Sequence, residues 1–424
     1  MEPVIKAQGS GYEVSWPSLH VRIQVRHIRA RMEGGFKAQI ATWFEDRPIH
    51  RSNPVLDSVS GMDQLTRRLK RRVPPEDYDI DWEQVVEDLA GIVIDEYRRG
   101  TDEVVLGDIR QPKASTWRID NLLIAGEPTL IWADGGTGKS MFALFLAVLV
   151  SEGHMDTDYQ LVVEPGRVLY LDWETSAEEL SSRVSKVHTG LGITNPSGII
   201  YRYMGQPLIS EVDRVRDIVH SRDIDMIVYD SMGLAVAGEL ESAENVLGFF
   251  RAVRMIGGTA LIVSHANKGG TLFGSAYTSN ASRSVFEAQR TLGTKGASIV
   301  LSLFHRKANN VSTAPPQSWQ MDFSAEDRIV FHRLETFDTD AQGSLSYMQL
   351  VYEILKREGP KDKAYLDETI AVMKNTPVDK VKPRISTAVS KHRASGKILD
   401  HGELLMVAEK PTENGENQTW DIPV

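Results

Sequence analysis

The chain has 424 residues, a hydrophobic fraction of 41% and a formal net charge of −10. This length exceeds one ordinary domain, so we expect two or three domains with cores of their own. The absence of cysteine excludes disulfides and thiolate metal sites, and the acidic balance excludes a protein that coats nucleic acid with its whole surface. Neither a membrane-spanning run nor a signal-peptide pattern is found, so we expect a cytoplasmic protein without membrane contact.

Residues 1–110 predict a small N-terminal α+β domain. Polar and apolar residues alternate over 20–25, and an apolar run over 36–44 follows a glycine pair, which predicts a β-hairpin. Apolar periodicity predicts one helix over 57–73 and a second that begins at an N-cap, Asp81, with Gln84 three places on. The first helix has a basic cluster of Arg67, Arg68, Lys70, Arg71 and Arg72. This cluster could contact phosphates or an acidic neighbouring subunit, or it could be a solvated helix face.

Residues 132–140 have the order strand, glycine-rich loop and helix. The glycines allow a tight curl whose N–H groups point inward, and the helix that follows adds the positive end of its dipole, so the segment suits a polyphosphate. Its pattern is that of a phosphate-binding loop, except that Ala133 occupies the first glycine position. Lys139 would reach the β- and γ-phosphates, and the Ser140 hydroxyl would bind Mg²⁺. The predicted ATP-binding residues are Gly135, Gly136, Thr137, Gly138, Lys139 and Ser140.

Strands and helices alternate through the predicted central domain, residues 111–340. Apolar runs over 168–171, 226–229 and 260–263 predict buried strands, and helical patterns follow over 177–188 and 244–254. This alternation predicts an α/β fold with a parallel sheet and helices on both faces. Ligands of such sheets bind beyond the carboxyl ends of the strands.

Polar residues follow each of these predicted strands. Asp230 is in the position of a carboxylate that holds Mg²⁺. Because the next residue is Ser231, the base that activates water must come from elsewhere, and we predict Glu174, with Asp172 as its rival. His265 ends the third strand, where a polar side chain can sense the γ-phosphate.

The order of these elements resembles the RecA-type ATPase core, and more closely the plasmid RepA and DnaB-like hexameric helicases with their phage-encoded relatives. Three later segments are similar to motifs of the RepA-like group. They are Ser264-His265-Ala266-Asn267-Lys268, the stretch from Gly274-Ser275-Ala276 to Arg283, and His305-Arg306-Lys307-Ala308-Asn309-Asn310. The resemblance covers residues 117–334.

The resemblance implies a role for each matching residue. Glu174 would be the catalytic glutamate, His265 the γ-phosphate sensor, Arg283 the arginine finger for a neighbouring subunit and Lys307 a second basic group there. DnaB-like proteins have Lys-x-Arg where this chain has Lys307-Ala308-Asn309, so Arg283, Arg306 and Lys307 compete for the finger. Residues 233–241 and 268–273 would face the channel of the ring, with Lys268 as a phosphate contact.

The C-terminal residues 341–424 resemble a winged-helix domain. Helices are predicted over 347–355, 365–373 and 382–395, followed by strands over 404–408 and 419–422 around a polar turn, 410–418. The third helix of such a domain enters the major groove, and protein docking is the alternative use of this domain. The residues predicted to contact duplex DNA are Lys382, Arg384, Lys391 and Arg393.

The sequence therefore predicts a RecA-like P-loop ATPase core between a small N-terminal α+β element and a winged-helix domain. The function that this predicts is a homo-oligomeric ring, a hexamer by the family resemblance, that uses ATP and Mg²⁺, moves on single-stranded DNA and unwinds duplex DNA in plasmid or phage replication. Two alternatives remain from the sequence: an ATP-switched DNA-binding regulator or recombination accessory protein, and a recombinase filament.

Overall fold

The computed structural model describes residues 2–8, 11–30, 35–100, 103–108, 117–154, 159–267, 271–272, 274, 276–292, 297–309 and 311–408. Buried apolar side chains in these ranges form one N-terminal cluster, one cluster on each face of a central sheet, and one C-terminal cluster. Among the helices described, none combines the length and the apolar character that a bilayer crossing requires.

The N-terminal part is a five-stranded antiparallel meander with helices on its inner face. The predicted hairpin is confirmed as β3 and β4, and both predicted helices are confirmed as α1 and α3. The sequence prediction omitted β1, β2 and β5, because β1 and β5 have exposed or partly exposed residues throughout. The elements are β1 (Val4–Gln8), β2 (Gly11–Trp16), β3 (Val21–Ala30), β4 (Phe36–Phe44), β5 (Arg47–Ser52), α1 (Val59–Arg72), α2 (Pro75–Tyr78) and α3 (Trp82–Arg99).

The N-cap of α3 is Asp81, as predicted. Its carboxylate accepts hydrogen bonds from the backbone N–H groups of Glu83 and Gln84. Gln84 makes no return bond to the N-cap, and its amide nitrogen donates to Asp88 at 2.7 Å. The helix therefore begins with a side-chain cap but without the reciprocal capping box that the spacing suggested.

The central part contains eleven strands and six helices within the described residues. In chain order they are β6 (Trp117–Ile119), β7 (Leu123–Ile124), β8 (Pro128–Ala133), α4 (Lys139–Glu152), β9 (Val168–Asp172), α5 (Ala177–Gly190), β10 (Ile200–Tyr203), α6 (Leu208–Arg222), β11 (Met226–Asp230), α7 (Met232–Ala235), α8 (Ala243–Ile256), β12 (Thr259–His265), α9 (Ala276–Ala281), β13 (Ser284–Leu292), β14 (Ser298–Ala308), β15 (Gln317–Asp322) and β16 (Val330–Leu334).

Nine of these strands form one sheet in the order β10-β9-β11-β12-β8-β13-β14-β15-β16. The first six strands are mutually parallel, and the three predicted buried strands are confirmed as β9, β11 and β12. The prediction of a parallel sheet is wrong for its far side, because β14, β15 and β16 are antiparallel. Short connections allow these last strands to pair as a meander, whereas parallel pairing needs a crossover.

Helices cover both faces of the central sheet, as the alternation predicted. The cluster on one face contains buried residues of α4 and α5, and that on the other face contains those of α6 and α8. α4 is apolar almost all round, and ten of its residues are buried. The phosphate-binding loop therefore leads into a helix that is fixed in the core.

The C-terminal part has three helices and a small antiparallel sheet of order β17-β19-β18. The three predicted helices are confirmed, although the third begins earlier, at Val378, and has Pro383 in its first turns. Its cluster of buried residues includes Phe304 of β14, so the C-terminal part packs against the central sheet. The elements are α10 (Tyr347–Glu358), β17 (Lys361–Asp362), α11 (Lys363–Met373), α12 (Val378–Ala394), β18 (Ile398–His401) and β19 (Leu404–Val407).

The hairpin of the C-terminal part is not where the sequence placed it. β18 pairs with β19 across a turn at Gly402 and Glu403, so the run predicted as the first strand is the second. Gly402 has a φ of 65°, which a glycine adopts readily in a tight turn. The predicted turn 410–418 and strand 419–422 lie outside the described residues.

Candidate nucleotide-binding site

Four neighbouring parallel strands bring the predicted residues to one edge of the central sheet. The order β9-β11-β12-β8 places the ends of these strands side by side. Asp230 pairs in register with Asp172, and His265 pairs with Ala133. The carboxyl edge of the sheet therefore brings together the phosphate-binding loop, the two strand-end acids and the histidine, as the sequence predicted.

The phosphate-binding loop joins β8 to α4 in the predicted way. Gly136 and Gly138 have φ values of 68° and 94°, a region that favours glycine. The Thr137 hydroxyl donates to the carbonyl of Asp134, which closes the loop on itself. A Cβ added at Gly135 would meet no atom within 4 Å, and the loop borders a cavity of about 430 Å³. The N–H groups at the start of α4 fit a polyphosphate, and the cavity extends from the loop towards Gln289 and Arg290 of β13.

Lys139 is buried within this loop. Its ammonium donates to the carbonyls of Ala133 at 2.9 Å and Asp134 at 2.7 Å. Burial lowers its pKa to about 8, against the nearby carboxylates of Asp230, Asp134 and Glu174, which raise it. In this structure the ammonium has two neutral carbonyls as its acceptors. Phosphate oxygens would give the partly desolvated cation anionic acceptors.

Ser140 and Asp230 are in contact, as a shared Mg²⁺ site requires. The Ser140 hydroxyl donates to Asp230 Oδ1 at 3.1 Å, and the Tyr170 hydroxyl donates to Oδ2 at 2.6 Å. Burial raises the pKa of Asp230 to about 6. Within the described residues no group of three or more His, Asp or Glu could hold a metal alone, so phosphate and water oxygens would complete the shell of an ion held by this pair.

Glu174 and Asp172 make different contacts, although both are near the site. Asp172 Oδ1 accepts the backbone N–H groups of Glu174 and Thr175 at 2.8 and 2.9 Å, so it shapes the turn after β9. Glu174 Oε1 instead accepts the hydroxyl of Ser231 at 2.8 Å, and the Asp230–Ser231 peptide bond is cis. These contacts favour Glu174 as the general base and Asp172 as the residue that positions it.

His265 is half-buried at the end of β12. Its pKa is lowered by burial and by the charge of Lys139, against a smaller opposite effect of Glu174. The imidazole is therefore neutral at neutral pH and has one donor and one acceptor nitrogen. This charge state suits a hydrogen bond to a phosphate oxygen rather than an ion pair.

Arg283 is at the opposite edge of the same sheet. Its backbone N–H donates to the carbonyl of Pro128 at 3.0 Å, at the start of β8. The phosphate-binding loop follows the other end of that strand, about 16 Å away at the usual rise per residue. The side chain is 42% exposed and lies 3.5 Å from Glu127. The fold therefore keeps Arg283 away from the ATP site of its own chain.

Lys307 and Arg306, the other two candidates for the finger, have partners in their own chain. The Lys307 ammonium donates to the carbonyls of Ser279, Asn280 and Ser282 at 2.7, 3.3 and 2.9 Å, around the end of α9. Arg306 donates to Glu287 at 2.7 Å. All three cations therefore have a partner in their own chain, and the contact of Arg283 with Glu127, at 3.5 Å, is the longest of these side-chain contacts.

Arg290 is a residue that the sequence analysis missed. It lies near the end of β13, and its guanidinium donates to the carbonyl of Gly136 in the phosphate-binding loop at 2.6 Å. It also lines the cavity beside the loop. No motif pointed to it, since β13 and the loop are 154 residues apart in the chain.

The residues predicted to contact nucleic acid are dispersed. Lys268 lies outside the described residues, and residues 233–241 contain no lysine or arginine. The four predicted basic residues of α12 are all exposed, and Arg393 pairs with Asp400 at 2.6 Å. His392 instead faces inward, where its ring is 2.7 Å from the Met348 carbonyl.

Comparison with known proteins gives one family match. Residues 95–271 match the AAA_25 family model, described as an AAA domain. No curated protein matches the chain. Among solved structures, a KaiC-like protein from the archaeon Pyrococcus horikoshii is 16% identical, with 53% of this chain and 99% of that chain covered and a TM-score of 0.37, a value too low to support an argument.

The matched range contains the phosphate-binding loop, Glu174, Asp230 and His265. The geometry of these residues is that of a site for a nucleoside triphosphate and its metal ion. The central part of this chain is therefore similar to an AAA domain and contains a P-loop nucleotide site.

Proposed function

We propose that this protein is a ring-forming motor, a hexamer by its resemblance to RepA and DnaB-like helicases, that hydrolyses ATP to move on single-stranded DNA and unwind duplex DNA. Plasmid or phage replication is the process that this resemblance suggests. The observation that carries the proposal is the position of Arg283. A cation at the edge opposite its own ATP site is suited to serve the ATP site of another subunit.

Each residue at the carboxyl edge has a part in this proposal. Ser140 and Asp230 would hold Mg²⁺, which offsets phosphate charge, and Lys139 with the loop N–H groups would bind the phosphates. Glu174 would take a proton from the attacking water, and neutral His265 would donate a hydrogen bond to the γ-phosphate. The guanidinium of Arg283 from a neighbour would stabilise the charge that develops during transfer.

The C-terminal part supports contact with duplex DNA. Its order of helix, strand, helix, helix and two strands is that of a winged helix, with α12 in the place of the recognition helix. Four exposed basic residues on α12 would give an electrostatic contact to phosphates. They are Lys382, Arg384, Lys391 and Arg393.

The test is a strand-displacement assay on a forked duplex, with ATPase activity measured with and without single-stranded DNA. A helicase would displace the strand only with hydrolysable ATP and would hydrolyse faster on single-stranded DNA. Glu174→Gln, which keeps the phosphate-binding loop, is the matched control and should displace no strand.

The basic surface of α12 also fits the alternative, an ATP-switched DNA-binding regulator or recombination accessory protein. Such a protein would bind duplex DNA in a nucleotide-dependent way but would not displace a strand. Electron microscopy with an ATP analogue and single-stranded DNA separates the assemblies, because a helicase would form closed rings and a recombinase would form filaments. A monomer under these conditions would contradict the ring.

A further inference from the structure

The outer face of the N-terminal sheet carries an excess of positive charge. Between His20 and Ser52, the range of β3 to β5, the sequence has seven Lys or Arg against three Asp or Glu, in a chain whose net charge is −10. The inner face is buried under α1 and α3. Because side chains alternate along a strand, the other residues of β3, β4 and β5 point outward, including Arg22, Gln24, Arg26, Gln39, Trp43 and Arg51.

A groove crosses this outer face. One cavity of about 220 Å³ is lined by residues that include Gln24, Arg26, Trp43 and Arg51. A second of about 500 Å³ is lined by residues that include Lys37 and Arg29, and Gln39 belongs to both. Arg29 is already paired with Asp213 of α6 at 3.6 Å. We call the surface made by Gln24, Arg26, Lys37, Gln39, Trp43 and Arg51 the sheet groove.

Several charges of the sheet groove are unpaired. Within the described part of the chain, Lys37 and Arg51 form no ion pair, and the buried Nε of Arg26 has no hydrogen-bond partner. Arg22 at the margin is paired with Glu13 at 3.2 Å, and its guanidinium lies 4.8 Å from the centre of the Trp43 ring. A face that only meets solvent normally mixes both signs of charge, so the unpaired cations indicate an anionic ligand.

We propose that the sheet groove binds single-stranded nucleic acid. Arg26, Lys37 and Arg51 bind backbone phosphates, and a base stacks at the pair formed by Trp43 and the Arg22 guanidinium. The Gln39 amide can both donate and accept hydrogen bonds, as the edge of a base requires, whereas the Gln24 amide already donates to Glu13 at 3.0 Å.

An acidic polypeptide fits this surface less well. The outward positions of β3, β4 and β5 hold no leucine, isoleucine, valine, methionine or phenylalanine, so they offer no pocket for the apolar side chains of a bound peptide. The stack of guanidinium and indole suits the flat face of a base. The inference does not depend on the helicase proposal, because it concerns a different part of the chain.

The test uses the full chain without nucleotide and a fluorescent oligothymidylate of about 15 nucleotides. The double substitution Lys37→Glu and Arg51→Glu should weaken binding at least tenfold and reduce the salt slope by about 1.4, the value for two phosphate contacts. The matched control is Arg251→Glu with Arg328→Glu, an equal charge change on exposed positions of the central part, which should change affinity less than about twofold. An equal loss in both proteins would refute a specific groove.

A second measurement locates the contact and separates it from the channel of a ring. Ultraviolet cross-links from oligothymidylate should map to residues 35–52 and should be lost in Trp43→Leu, with Trp43→Phe retaining them if the fold is kept. Cross-links confined to other segments would overturn the proposal. Displacement of the oligonucleotide by poly-L-glutamate at equal charge concentration would instead assign the groove to an acidic protein, and an RNA oligomer of equal length distinguishes the two nucleic acids.

Discussion

The two edges of the central sheet differ in whether the residues that would act together all belong to one chain. At the carboxyl edge, Lys139, Asp230 and Glu174 are near one another, and burial shifts the pKa values of Lys139 and Asp230. At the opposite edge, Arg283 is 42% exposed beside Glu127, and Lys307 is bound to backbone carbonyls. Chain topology alone assembles the first edge, whereas the second presents a cation whose proposed target belongs to another molecule.

The largest expected effect comes from Arg283→Ala, which removes the proposed finger and leaves the carboxyl edge unchanged. In the proposed ring the guanidinium acts only on a neighbour's transition state, so this protein should bind ATP normally but hydrolyse it about 1000-fold more slowly. Nucleotide-binding measurements check the ATP affinity, and ATPase assays check the rate of hydrolysis. Arg306→Ala, which removes a guanidinium already bound to Glu287, is the control and should retain activity.

A mixture of two inactive variants, Arg283→Ala and Lys139→Ala, tests whether Arg283 acts on a neighbouring subunit. Arg283→Ala subunits keep an intact phosphate-binding loop and Lys139→Ala subunits keep the finger, so co-assembled proteins contain interfaces with both intact halves. ATPase activity should therefore reappear. If the subunits co-assemble and activity stays at the background of either mutant, Arg283 does not act in trans.

At the carboxyl edge, Glu174→Gln should bind ATP but hydrolyse it at least about 100-fold more slowly, because the positioned base is lost. Asp172→Asn is the comparison, since it keeps an oxygen that can accept the N–H groups of Glu174 and Thr175. It should retain most turnover. A larger loss from Asp172→Asn than from Glu174→Gln would exchange their roles.

The buried Lys139 predicts a pH dependence of ATP binding. Its pKa is lowered to about 8 by burial, so the ammonium is charged below that pH and loses its proton above it. Since phosphate binding needs the charged form, ATP affinity should fall about tenfold per pH unit above pH 8. Equilibrium binding from pH 7 to 9.5 measures this. Lys139→Arg, which keeps its charge, should bind more weakly but without this decline.

The smallest effect concerns the anchoring of Lys307. Lys307→Met removes the donor to three carbonyls around α9, so the free energy of unfolding should fall by about 1–2 kcal/mol. Denaturant titration measures this, and the exposed Lys382→Met should change the value by less than about 0.5 kcal/mol. Unchanged stability of Lys307→Met would free this lysine to be reconsidered as the finger.

The position of the candidate nucleotide site could be predicted because its signals are local. The loop 132–140 has a motif whose neighbouring strand and helix confirm it, and Asp230 and His265 end apolar strands. The rule that parallel strands present their carboxyl ends together then brought distant segments to one place. The predictions of α1, α3 and the C-terminal helices rested likewise on periodicity within each segment.

The misplaced or missed features depend on contacts between distant segments. No sequence pattern around Arg290 predicts its contact with Gly136, and none around Lys307 predicts its contact with the carbonyls of α9. The strand β5 has few apolar residues, because it lies at the edge of its sheet. The C-terminal hairpin was misplaced because the polar stretch at 400–403 weakened the alternation that marks a strand.

The strand β13 joins the two edges in a single element. It begins immediately after Arg283, and Arg290 near its other end holds the Gly136 carbonyl of the phosphate-binding loop, about 23 Å away along the strand. If Arg283 serves the next subunit, occupancy of one site and the placing of a finger in the next are linked through one rigid segment. Thermodynamic linkage makes such a connection reciprocal, so ATP binding at one site would change the ATP affinity of the next, and Arg290→Ala should bring the Hill coefficient of binding closer to one.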